Sequence, residues 1–181
     1  MKKIIFIALA FCLPHFLHAQ KYMTRSGQVS FFSSTAVENI EAINNEVASV
    51  FDATSGELIF IVPIKSFKFD RALMQEHFNE NYLESDTYPK ATFKGNGDFS
   101  GVNFAADGNY AISVAGQLTM HGVTKDVSAT ANIKIVGSKI DGNTTFNVNP
   151  ADYSVKIPDL VKGQISDKIE VTVKATLQPL K

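Results

Sequence analysis

Cysteine is almost absent from this chain of 181 residues: Cys12 is the single one, so no intramolecular disulfide framework can form. Histidine is sparse as well, with four in all at His15, His18, His77 and His121. The signatures of familiar catalysis are missing. There is no G-x-S-x-G nucleophile elbow, no H-E-x-x-H zinc helix, no P-loop and no G-x-G-x-x-G. Gly95-Asn96-Gly97 opens no recognisable helix and makes no phosphate cradle. His77 and His121 stand on a helix-like stretch and a distant turn, and no metal-ligand spacing joins them. The chain also lacks a basic block, with 17 basic against 18 acidic residues, which argues against nucleic acid. No repeat, low-complexity tract or Pro/Ser-rich linker divides it. These absences exclude most enzyme classes and leave a non-enzymatic protein, with no cofactor and no metal, that must draw its stability from a hydrophobic core.

The first residues carry an address. Met1-Lys2-Lys3 precede the apolar run "IIFIALAFCLPHFL", and His18-Ala19-Gln20 follow. A positive start, a short apolar core and a small residue before a polar one describe a secretory signal peptide over residues 1–19, cleaved after Ala19. Leu17, the third residue back from the cut, is larger than is usual there. Pro14 breaks the run, which is too short to span a membrane comfortably. Cys12 lies inside the apolar core behind the bulky Phe11, which argues against lipid attachment there. Cleavage would remove Cys12, His15 and His18, and taking Lys2 and Lys3 from the 17 basic residues leaves 15 against 18 acidic. The expectation is one exported domain over residues 20–181, periplasmic or secreted.

Period-2 alternation dominates that domain. In "NYAISVAGQLTM" one face holds Tyr110, Ile112, Val114, Gly116, Leu118 and Met120, and the other holds mostly small residues, Ala111 to Thr119. After His121-Gly122, "VTKDVSATANIKIV" sets Val123, Lys125, Val127, Ala129, Ala131, Ile133 and Ile135 on one side, which predicts a long hairpin turning near His121-Gly122. "KIEVTVKATLQPL" alternates Ile169, Val171, Val173, Ala175 and Leu177 with Lys, Glu and Thr, so one of its faces is wet. Further strands are expected around residues 29–33, 47–52, 57–65, 91–99 and 140–148. In "ELIFIVPIKSFKF" Leu58, Phe60, Val62 and Ile64 form one face, and Ile59, Ile61, Phe67 and Phe69 the other, with Pro63 at an edge or bulge. Asn149-Pro150-Ala151-Asp152-Tyr153 reads as a turn that starts another strand.

Long strands in sequential hairpins predict an all-β fold, an antiparallel β-barrel of about eight strands that leaves no exposed edge. The small face of the 110–120 strand would suit an interior with room for one small ligand; large residues opposite could equally fill that room.

One segment breaks the pattern. "LMQEHFNENYLESDTYP" predicts a helical segment over residues 71–84, capped by Asp70 and shut down by Pro89. Met74, Phe78 and Tyr82 make an apolar stripe at i, i+4 and i+8, while Glu76, Glu80 and Glu84 form a solvated acidic row. On a barrel this helix would lie against the outer wall or across the mouth, either completing the core or capping a cavity. A cavity lined by Phe, Leu, Ile, Val and Met would suit a long hydrocarbon.

The pattern F-x-F-x-x-x-L-M-x-x-H-F-N-x-x-Y-L-E-S-x-x-Y-P-x-A-x-F-x-G, read from Phe67 to Gly95, together with "GQLTMHGVTKDV" from Gly116 to Val127, resembles the YceI-like family. The resemblance extends over nearly all of the domain. It implies a lipocalin-like extended barrel with a helical segment, typically secreted or periplasmic, that holds a polyisoprenoid or other long-chain amphiphile. By that resemblance the ligand-lining or lid candidates are Phe67, Phe69, Met74, Phe78, Tyr82 and Phe93, and the partner is a long-chain lipid or isoprenoid carried in the cell envelope, with no membrane-spanning segment. The alternative is a structural or interaction module with a self-filled barrel. The oligomeric state is left open, a dimer being among the options. Where many relatives have an Asp-Phe-Gly-like turn, this chain has Asp152-Tyr153-Ser154, so the mouth at that end differs.

Overall fold

A computed structural model of the chain describes residues 21–180. The signal peptide expected over residues 1–19 lies outside those residues. Nine strands occur among them: β1 (Lys21–Ser34), β2 (Asn39–Asp52), β3 (Glu57–Pro63), β4 (Lys68–Phe69), β5 (Lys90–Gly97), β6 (Gly108–Met120), β7 (Val123–Val136), β8 (Lys139–Val148) and β9 (Ile169–Pro179). All pairs are antiparallel, in the order β1-β9-β8-β7-β6-β5-β3-β2, and β1 pairs with β2 to close an eight-stranded barrel. Closure satisfies every edge that the apolar β3 would otherwise expose. The two-residue β4 is an addition: β3 pairs with β2 through Leu58–Ile61, and β4 takes up the same strand further along at Ala42 and Ile43.

The break between β3 and β4 corrects one expectation. The chain leaves β3 at Pro63, turns through a 3-10 segment at Ile64–Ser66, and comes back reoriented. Phe67 and Phe69 therefore join Leu58, Phe60 and Val62 on the inside, while Ile61 on the other face stays exposed. Pro63 stands where β3 ends, its carbonyl accepting 2.7 Å from the Nδ2 of the fully buried Asn44.

β1 and β2 each run 14 residues, well beyond the expected pieces. Their pairing shifts register between Thr24 and Gly27 and again before Val29. The buried set moves from Tyr22 and Thr24 to Gly27 and Val29, so a bulge flips the parity and hides the strand's length from a period-2 reading. The β6–β7 hairpin is as expected: Met120 pairs with Val123 across a two-residue turn in which His121 (φ 49°) and Gly122 (φ 75°) both take left-handed backbone.

The helical insert is shorter and differently wound than predicted. An α-helix, α1, spans Ala72–His77, and Phe78–Tyr82 continue as π-helix, Leu83 N–H donating to Phe78 O at 2.9 Å. Arg71, not Asp70, is the N-cap, and no side chain caps the first turn. The five-residue spacing brings Leu83 as well as Tyr82 to the apolar side with Phe78, where Leu83 packs on Ile64 and Ala91. The segment after Asn149 is corrected too. Pro150–Tyr153 form a 3-10 turn capped by the Asn149 side chain, Ser154 takes left-handed backbone, a second 3-10 segment follows at Asp159–Gln164, and strand resumes only at Ile169.

Candidate ligand cavity

Strand directions give the barrel two unlike ends. One end gathers the β1–β2 turn, the helical insert, the His121-Gly122 turn and the 3-10 segments between β8 and β9; the other has the β2–β3 and β7–β8 turns and the 98–107 loop. Between them lies a cavity of about 560 Å³, well within the range of small-molecule sites. Its walls are almost wholly apolar. Phe60 on β3 and Phe93 on β5 face small residues on the opposite strands, Gly142 on β8 and Ala175 on β9, with Ala129 and Ala131 beside them on β7.

These small inward residues make the room, which corrects the reading of β6. Its small face, Ala111, Ser113 and Ala115, is exposed, and the large face from Ile112 to Met120 points inward. The Phe93 ring lies over the facing Gly95–Gly116 pair: a Cβ on Gly95 would stand 2.6 Å from the ring edge, and one on Gly116 2.8 Å.

The insert lies across the mouth. Met74, His77, Phe78, Tyr82 and Leu83 look into the cavity. The Phe78 ring packs on Phe69, Phe67 and Phe31, with centroids 5.0, 5.5 and 5.5 Å away. All six residues singled out from the sequence, Phe67, Phe69, Met74, Phe78, Tyr82 and Phe93, are thus brought to the cavity wall. Burial pushes the Tyr82 phenol above its ordinary range, so it stays protonated. Polar groups occur on the rim: Arg71 pairs with Glu38 and reaches Met74 Sδ at 3.0 Å, while Ser33 Oγ accepts from Ser166 N–H at 2.9 Å.

The far end of the insert is pinned. His121 Nε2 lies 2.8 Å from Glu84 Oε2, its Nδ1 lies 3.0 Å from the Tyr153 carbonyl, and the Tyr88 ring meets it edge-on at 4.6 Å. Glu84, expected to be merely solvated, joins the lid to the β6–β7 turn and the Pro150–Tyr153 turn. Its left-handed backbone (φ 43°) takes it out of the acidic row.

The opposite end is sealed by aromatics that the sequence reading did not select. Phe51 and Phe99 face the cavity with ring centroids 4.4 Å apart, and Phe104 and Tyr22 pack around Phe51 at 5.8 and 5.9 Å. Two phenylalanines in the otherwise polar "DFSGVNFAADG" were the available signal, because a loop rich in Asp, Gly and Asn that keeps two Phe must bury them.

Its acidic and basic lining residues, Glu38, Arg71 and His77, stand at the mouth. Among the described residues no group of three His, Cys, Asp or Glu could hold a metal ion, and no helix is long and apolar enough to cross a membrane. A closed antiparallel barrel with an apolar chamber under a helical lid defines an all-β, lipocalin-like protein.

The chain belongs to the YceI-like domain family, whose profile matches residues 14–177. Among solved structures, a polyisoprenoid binding domain from Saccharophagus degradans, implicated in plant cell wall breakdown, is 18% identical with a TM-score of 0.77, covering 90% of this chain and 99% of its own. BcnA of Burkholderia cenocepacia is 16% identical with a TM-score of 0.69, covering 83% and 95%. A Campylobacter jejuni YCEI protein is 18% identical with a TM-score of 0.58, covering 100% and 99%. At these identities the likeness is one of fold. No curated protein matches the chain.

Proposed function

We propose that this protein binds a long-chain amphiphile, a polyisoprenoid or a fatty-acyl lipid, with the hydrocarbon inside the barrel and the polar head at the Glu38–Arg71 rim, and carries it within the cell envelope after export. The observation that carries this reading is the apolar cavity of about 560 Å³ between lid and floor. The polyisoprenoid binding domain of Saccharophagus degradans, with the same fold, supports the ligand class. Each methylene taken from water contributes about 0.8 kcal/mol, so a chain of twenty carbons gains about 16 kcal/mol gross. Loss of translational and rotational freedom offsets about 4–15 kcal/mol of that. A charged head inside would cost more than the tail gains, which keeps it at the rim. Phe67, Phe69, Met74, Phe78, Tyr82 and Phe93 are the contacts this binding would use.

Delipidated protein should displace a fluorescent fatty acyl probe with polyprenyl alcohol at one site per chain, and cells expressing the full chain should release it into the periplasmic fraction or the medium. Absence of uptake for both lipid classes would favour a barrel acting through its outer surface. Retention in the cytoplasm would remove the envelope role.

A further inference from the structure

The geometry points to Phe51 and Phe99 as the floor that sets how long a hydrocarbon chain this barrel accepts, an inference that rests on the lipid-binding reading. Both rings look into the cavity and pack against each other, tilted, with Phe104 behind them. The Phe99 ring is wedged in place: a Cβ on Gly97 would stand 2.4 Å from it, and Gly56 takes left-handed backbone (φ 75°) beneath it.

The loop that delivers Phe99 is anchored at both ends. Asp98 N–H donates to Ser113 O at 3.0 Å, and Asp107 Oδ1 accepts from Gly137 N–H at 2.7 Å. A chain entering past the lid therefore meets a fixed stop, not a yielding loop. At about 30 Å³ per water-sized heavy group, the cavity of about 560 Å³ has room for roughly nineteen such groups. That is a fatty acyl chain or about four isoprene units. The length agrees: Ile112 to Met120 on β6 both line the cavity, and eight steps of about 3.4 Å on a strand tilted by about 40° give roughly 20 Å of depth.

The test uses delipidated full-length protein and monomeric straight-chain fatty acids of increasing length, titrated by calorimetry. While added carbons find room, each raises affinity about fourfold. In the wild type this climb stops at roughly twenty carbons. Phe99→Ala frees the space of a phenyl ring and moves the break about four to six carbons longer, at about 30 Å³ per group. Phe51→Leu, milder at a fully buried position, moves it in the same direction by less. Circular dichroism establishes that each variant is folded. A break that stays in place in both folded variants would overturn the floor while leaving lipid binding intact. Failure of the wild type to bind any length would overturn both.

Discussion

Gly142→Leu separates an open barrel from a self-filled one by the sign of a stability change. Gly142 lies mid-strand on β8 facing the cavity, and a Cβ added there meets nothing closer than Ile133 Cγ2 at 3.8 Å and Ala175 O at 3.9 Å. Its backbone is not left-handed, so leucine enters without strain. Replacing glycine inside a strand recovers about 0.5–1 kcal/mol of chain entropy. Burying the new side chain in empty apolar space adds up to about 2 kcal/mol. Delipidated Gly142→Leu should therefore unfold in urea with a midpoint raised by the equivalent of about 1–3 kcal/mol and an unchanged slope. Its four added carbons, at about 30 Å³ each, take about a fifth of the cavity, so the longest chains bound by the wild type should be lost. A barrel already filled by its own side chains would instead be overpacked and lose about 1–3 kcal/mol. Destabilisation with an unchanged slope would refute the open chamber.

Phe78→Asp puts a carboxylate among Phe31, Phe67 and Phe69 at the lid, outside the barrel strands. It should abolish lipid retention while far-ultraviolet circular dichroism keeps the β signal, and global unfolding would show that Phe78 is ordinary core. His121→Asn keeps a residue that tolerates left-handed backbone but cannot bridge Glu84 and the Tyr153 carbonyl together. Stability should fall by about 1–3 kcal/mol, and amide exchange should speed up over residues 78–88 while β6 and β7 stay protected; an unchanged lid would remove the latch. Burial pushes the phenols of Tyr22, Tyr82 and Tyr153 above their ordinary range, with the Asp152 charge assisting at Tyr153. Folded values raised above the unfolded value of about 10 mean that this stability is complete below pH 10 and is lost as pH rises through the folded values. Phenolate absorbance should show these three ionising above the ordinary tyrosine range, and reversible ionisation near pH 10 in an intact barrel would contradict it.

What the sequence made legible was governed by local periodicity. β6, β7 and β9 show unbroken alternation, and the His121-Gly122 turn chemistry fixes the register of β6 on β7, so barrel and hairpin could be read directly. The bulge near Gly27 defeated the same method because one extra residue reverses which parity is buried. Phe67 and Phe69 were assigned to the wrong face because Pro63 and the 3-10 turn after it reorient the chain, and parity does not survive a turn. The Met74–Phe78–Tyr82 stripe was visible, but the π-helical winding that adds Leu83 goes with its packing on Ile64 and Ala91, which lie on other elements. The room inside was sought on β6 and lies on β7, β8 and β9, since a face's direction depends on closure of the whole sheet. The floor and the Glu84–His121 latch depend on contacts between distant segments, and no window of sequence contains them.

Native mass spectrometry of the protein recovered from its own cells, followed by organic extraction, tests the central claim most directly. The account predicts a discrete added mass that extraction releases as one long-chain lipid per barrel, leaving a protein that reloads when the lipid is returned. A bare polypeptide mass, unchanged after incubation with polyprenyl and fatty-acyl lipids, would contradict it.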